Sequence, residues 1–213
     1  MVLLPVKQFY SQVDSATGHG SRMCFSSTCA MAVKYLRPDA LKGSNADDTY
    51  LKTVLKYGDT TQAPAQIKAC AHYGVLATFY TTGTKQALID ELKKGYPVAT
   101  GILHHGPVSA PSGGGHWMLL VGDNGKSGFF FDPYGEMDNV NGGYIRVGTG
   151  GMGVNYTWEN WLKRWQVAGP ASCWFMTFRK QGLKQLLQES FLSLSVLAGE
   201  LLLSIADPLP VWM

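Results

Sequence analysis

His116-Trp117-Met118-Leu119-Leu120-Val121-Gly122-Asp123-Asn124-Gly125-Lys126-Ser127-Gly128-Phe129-Phe130-Phe131-Asp132-Pro133-Tyr134-Gly135 is the stretch on which the fold turns. Residues 116–122 form a continuous apolar run, the pattern of a strand covered on both faces. Asp123-Asn124-Gly125-Lys126 has hairpin-turn chemistry, and 128–132 reads as the partner strand, ending in the turn signal Asp132-Pro133-Tyr134-Gly135. In an antiparallel hairpin the start of one strand lies beside the end of the next. The reading therefore makes His116 and Asp132 neighbours. It also sets the fold class, because a hairpin that follows a run of helices indicates α+β rather than an alternating parallel sheet.

Upstream, residues 2–13 alternate loosely, as an edge strand or extended arm leading to Gln12. A helix is expected from Cys24 to Leu36, ending before Pro38. A second would be capped by Asp47-Asp48, run to Lys56 and end at Gly58. A third would begin at Thr61 or Gln62, with Pro64 in its first turn and Gly74 after its end. Residues 75–80 form a β-rich run. Thr84 opens a helix over 85–94, and residues 97–103 read as a strand. Two long glycine-rich loops are expected, over 104–115 and 141–153, a size at which loops tend to be functional. Thr157 is placed to N-cap a helix over 158–165, and 172–179 reads as the last strand. No internal repeat or coiled coil is present. From Gly182 the character changes: Leu183, Leu186, Leu187, Phe191, Leu194 and Leu197 follow helical spacing, with Glu189 and Glu200 off the stripe. The expected organisation is a domain over 1–180 and an amphipathic leucine-rich C-terminal helix and tail over 181–213.

The length of 213 residues suits one domain with an extension, and a net charge of +3 is too small to argue for nucleic acid. The N-terminus carries no pattern of a secretory signal, and the four cysteines are irregularly spaced. On a helix Cys24 and Cys29 lie roughly 8 Å apart by rise, too far for a disulfide. The chain thus reads as made reduced in the cytoplasm.

Four residues stand out chemically. Cys24 follows the glycine-broken loop Thr17-Gly18-His19-Gly20 and heads its helix, at the positive end of the helix dipole, where a thiolate is favoured. Most free cysteines are small buried hydrophobes. Cys70 and Cys173 fit that description, and so does Cys29, which lies about 140° around the helix from Cys24. Cys29 is nevertheless the rival nucleophile. His116 stands where a glycine loop meets an apolar strand, with His104 and His105 as competitors. Asp132 is either a turn residue or the carboxylate that orients His116. Gln12 can donate a side-chain amide N–H to a developing oxyanion together with the backbone N–H of Cys24, with Gln8 and Ser11 as competitors. A zinc site from Cys24, Cys29, His104 and His105 has no usual ligand spacing, so no cofactor is expected.

Gln12, Cys24 opening a helix, Gly95-Tyr96-Pro97-Val98, Gly115-His116-Trp117-Met118-Leu119-Leu120-Val121-Gly122 and Phe131-Asp132-Pro133-Tyr134-Gly135 occur in that order. The order resembles the bacteriocin-processing-like branch of the papain-fold cysteine peptidases, in particular its stand-alone bacterial and bacteriophage members. The resemblance spans roughly residues 8 to 178. It implies an α+β papain-like fold, with Cys24 as nucleophile, His116 as base, Asp132 as orienting group and Gln12 in the oxyanion hole. The expected activity is hydrolysis of a peptide amide bond. By analogy the substrate is a bacterial peptidoglycan peptide, as for a phage endolysin or virion component. The alternatives are a leader-processing peptidase, or a docking component of a phage tail that self-associates or binds a partner through 182–206. A spanning helix is not expected there, because Glu200 and several serines interrupt the run.

Overall fold

The computed structural model describes residues 1–169 and 172–182. The expected leucine-rich helix and its docking role fall on 183–213, outside the described residues. Residues Met1–Lys180 form one compact unit. In chain order its elements are β1 (Val2–Leu3), α1 (Cys24–Leu36), α2 (Ala46–Val54), α3 (Ala63–His72), β2 (Val75–Tyr80), α4 (Lys85–Lys93), β3 (Val98–His105), β4 (Ser112–Asp123), β5 (Ser127–Phe131), β6 (Gly135–Met137), β7 (Tyr144–Val147), β8 (Met152–Thr157), α5 (Trp158–Trp165) and β9 (Phe175–Lys180).

The helices-then-sheet order is the α+β arrangement expected. One antiparallel sheet runs β2-β9-β3-β4-β5-β8, with β1 also on β4, and β6 and β7 pair separately. β4 alternates its side chains between two cores. Trp117, Leu119 and Val121 face the core built with α1, α2 and α3. Met118 and Leu120 face a second core with Leu88 and Leu92 of α4 and Trp158, Trp161 and Trp165 of α5. Cover on both faces is the physical reason the strand reads as unbroken apolar sequence.

α1 is buried on all sides from Cys24 to Val33. Its hydroxyl run is therefore interior and needs partners. Ser26 shares a 2.7 Å hydrogen bond with Thr60, and Gln66 Nε2 donates to Ser26 Oγ at 2.8 Å. Ser27 donates to Asp47 at 2.6 Å. The Thr28 hydroxyl is buried with no hydrogen-bond partner.

Several boundaries differ from the sequence reading. The arm 2–13 is a strand only over Val2–Leu3, and Gln12 sits in a single 3-10 turn, Gln12–Asp14. α2 starts at Ala46, with Asp47 and Asp48 in its first turn rather than at its cap. Asp48 instead accepts from Ser15 Oγ at 2.6 Å and Ala16 N–H at 3.0 Å, tying the loop after Gln12 to α2. Thr84 caps α4 by accepting from Ala87 N–H, but Thr157 makes no side-chain cap bond. About half of each glycine loop is strand. β3 runs to His105 and β4 begins at Ser112, while β7 and the start of β8 lie within 141–153. Glycine weakens a strand without removing its main-chain donors and acceptors, so tertiary pairing overrode composition. Among the described residues no helix is long and apolar enough to cross a membrane.

Candidate active site

Cys24 is the first residue of α1, is buried to 9% exposure and lines a cleft of about 740 Å³. Gln12, His116 and Tyr134 line the same cleft. Phe25 and Trp117 bring the nucleophile candidate to the histidine. Each follows its partner residue in sequence, and their rings stack with centroids 3.8 Å apart and planes 4° from parallel. The stack pins the start of α1 to β4 and so sets where Cys24 meets His116.

The sheet register places Asp132. Leu119 pairs with Phe131, so residue 118 would face 132, and His116 is one same-face step further along. Diagonal same-face neighbours lie within reach of long side chains. The His116 ring closes that gap, donating from Nε2 to Asp132 Oδ1 at 2.7 Å. Two further donors hold the carboxylate: Tyr134 N–H on Oδ1 at 3.1 Å and the Tyr156 hydroxyl on Oδ2 at 3.2 Å. Its main chain is clamped as well, since Asp132 N–H donates to Gly151 O at 2.8 Å. A Cβ at residue 151 would fall 2.0 Å from the Asp132 carbonyl, so this approach requires glycine.

With Nε2 committed to Asp132, Nδ1 is the ring nitrogen left for Cys24, which lines the same cleft. Burial alone would push the imidazole down. The Asp132 carboxylate, by charge and hydrogen bond, and then Cys24 reverse this and carry it to about 10. The ring is therefore an imidazolium at neutral pH, held by the Asp132 carboxylate.

Gln12 is fully buried and hangs from the same turn as Asp132, donating its backbone N–H to Pro133 O at 2.9 Å. Its side-chain Nε2 donates to Gly20 O at 2.6 Å, which uses one of its two amide hydrogens. Of its competitors, Gln8 lies in a separate groove with Pro5 and Lys34, and Ser11 is turned to Pro133 O.

The other rivals fall outside this constellation. Cys29 is wholly buried against Met176, and burial followed by its contact with Cys70 pushes its thiol up. His104 lines the cleft 5.3 Å ring to ring from His116, but burial and the neighbouring histidines push it down to about 4. Among the described residues no three His, Cys, Asp or Glu side chains converge as a metal site.

The sequence reading missed two residues that build the site. Tyr156 sits on β8, part of which had read as loop, so no alternation pointed it at Asp132. Arg164 lies on α5 and reads as an ordinary solvent-facing charge, yet it is fully buried. It donates to the carbonyls of Leu103, His105, Gly106, Asn139 and Val140. It thereby joins the end of β3 to the segment that leads into β7, which forms one wall of the cleft.

A model of the Peptidase_C39 like family matches residues 6–172. This chain belongs to that family. It is a cysteine peptidase with the papain-like α+β fold, and the resemblance to the bacteriocin-processing-like branch is borne out. A crystal structure described as that of a C39-like peptidase from Bacillus anthracis matches with TM-score 0.55 at 14% identity, over 85% of this chain and 98% of that one. The peptidase domain of Streptococcus ComA, a bifunctional ABC transporter of a quorum-sensing pathway, matches with TM-score 0.50 at 17% identity, over 82% of this chain and 98% of that one. At such identities the likeness is one of fold. Comparison with curated proteins finds no match.

Proposed function

We propose that this C39-like peptidase cleaves its substrate with Cys24 as nucleophile, His116 as acid and base, Asp132 as the orienting carboxylate and Gln12 as an oxyanion donor. The observation that carries this reading is the buried His116–Asp132 bond, with Cys24 on the lining of the same cleft. The imidazolium favours a thiolate opposite it, and the thiolate sulfur attacks the scissile carbonyl carbon. Negative charge develops on the carbonyl oxygen, where the second Gln12 amide N–H and the Cys24 backbone N–H receive it. His116 gives its Nδ1 proton to the departing amine, leaving a thioester. The now neutral ring takes a proton from water, the hydroxide adds to the thioester carbonyl, and collapse releases the acid and restores the thiolate–imidazolium pair.

The substrate in this proposal is a cross-linked bacterial cell-wall peptide, cut by an endopeptidase of bacterial or bacteriophage type. Support comes from the volume of the cleft, about 740 Å³, and from Gly114 and Gly115 on its lining, where an added Cβ would meet nothing within 4 Å. A branched chain needs such space. The second reading is processing of a precursor peptide, favoured by the fold shared with the ComA peptidase domain. Purified cell walls separate the two: wild type clears them and Cys24→Ala does not. If wild type leaves the walls intact but cuts precursor peptides, the substrate is the second one. If Cys24→Ala cuts either substrate as well as wild type, the mechanism fails.

A further inference from the structure

Trp174 is the one described tryptophan not packed into a core. Trp117, Trp158, Trp161 and Trp165 are 8% exposed or less, whereas Trp174 is 47% exposed. Its neighbours Cys173 and Phe175 are buried in the second core, so chain alternation turns residue 174 away from it. Its main chain is fixed. The Trp174 carbonyl accepts from Gly101 N–H at 3.0 Å and from the Trp165 indole N–H at 2.9 Å. The side chain lines the same cleft as Cys24 and His116, together with Thr61, Gly114 and Gly115.

A large apolar ring on a doubly anchored backbone, in one cleft with the side-chain-free Gly114 and Gly115 across β3, is a fixed shelf with room beyond it. Aromatic shelves of this kind present large contact area at low entropic cost, because few torsions must be fixed on binding. We propose that Trp174 is a specificity-determining residue, forming a subsite for an aliphatic or aromatic side chain of the substrate close to the scissile bond. The bare glycine backbone leaves space for the substrate main chain, and the indole takes the side chain. This inference rests on the peptidase reading of Cys24 and His116.

Its test is protection of Cys24 from iodoacetamide by blocked peptide aldehydes that end in glycinal and carry Gly, Asp or Leu at the two preceding positions. A bound aldehyde forms a thiohemiacetal with the thiol and hides it. In wild type the Leu compounds should protect at roughly 10-fold lower concentration than the Gly or Asp compounds, the scale on which an apolar pocket discriminates. Trp174→Ala should abolish that preference and Trp174→Phe should keep most of it. Both should label at the wild-type rate when no aldehyde is present, which also shows that the site is folded. A Leu preference that survives Trp174→Ala, or that is absent from wild type, overturns the proposal. Failure of every aldehyde to protect wild-type Cys24 instead overturns the peptidase reading beneath it.

Discussion

Asp132→Asn tests the centre of the site. The substitution keeps size and shape, and removes the charge that outweighs burial at His116. Burial lowers the pKa of the ring, and Asp132 first, then Cys24, bring it to about 10 from an ordinary 6.5. A change of that size is worth on the order of 5 kcal/mol at one buried ring. Without the carboxylate charge burial dominates, and the His116 pKa drops below its ordinary value. At about pH 6, where wild type holds an imidazolium beside Cys24, the variant holds a neutral ring, and iodoacetamide labelling of Cys24 should fall by ~10²-fold. Loss of acid–base function should lower kcat/KM by about 10²–10⁴-fold. The pH dependence of stability gives an independent check. A histidine raised on folding contributes stability that is fully present below 6.5 and is lost as pH rises through about 10. Wild type should therefore lose melting temperature across that window, and Asp132→Asn should show less of this loss. An Asp132→Asn protein that labels, cleaves and melts with the wild-type pH profile refutes the reasoning.

Three other residues give further expected outcomes. Tyr156→Phe deletes one donor to Asp132 and the acceptor of Met137 N–H, and should lower kcat/KM about 5-fold and stability by ~1–2 kcal/mol, read by steady-state kinetics and urea unfolding. Arg164→Ala removes a fully buried donor shared by five partly buried carbonyls, of which Val140 O keeps the Val108 N–H, and should cost roughly 3–5 kcal/mol in urea unfolding. Arg164→Lys keeps the charge but not the fork, so it should recover only part of that loss. Burial first, then nearby carboxylates, raise Asp47 from 3.8 to about 6 against the opposing Ser27 bond. An acid raised on folding binds its proton more tightly in the native state. Its charge penalty is absent below 3.8, grows between 3.8 and 6 and is complete above. Asp47→Asn, which can still accept from Ser27, should therefore raise the melting temperature at about pH 8 and have little effect near pH 4; an unchanged melting temperature at the higher pH counts against a buried charge there.

Much of the fold was legible because its signals are local. The stop before Pro38, the Thr84 cap, the Asn124-Gly125 turn and the alternation hidden in the apolar run of β4 all act between near neighbours in sequence. Asn124 shows this directly, since its side-chain oxygen accepts from Lys126 N–H at 3.1 Å and Ser127 N–H at 2.8 Å. The glycine-rich segments were misread because composition reports the entropy cost of ordering a strand but not the partner that repays it. Gly115 is held by Leu103 across the β3–β4 ladder, and nothing in residues 104–115 announces that pairing.

The sequence by itself determined which residues would meet across the hairpin. His116 and Asp132 are joined by a short turn, and strand register carries that proximity with no help from the rest of the chain. The same holds for Cys24 at the head of its helix, because the break before it and the periodicity after it are local. Only the tertiary structure decided that the head of α1 reaches the His116 ring, that Cys29 is sealed beneath it, and that Tyr156 and Arg164 complete the site. Those outcomes depend on helix-on-sheet packing through Phe25 and Trp117, and on buried carboxylate and carbonyl groups that must find donors wherever the folded chain supplies them. Such partners are fixed by three-dimensional demand for hydrogen bonds, and their positions in sequence carry no trace of it.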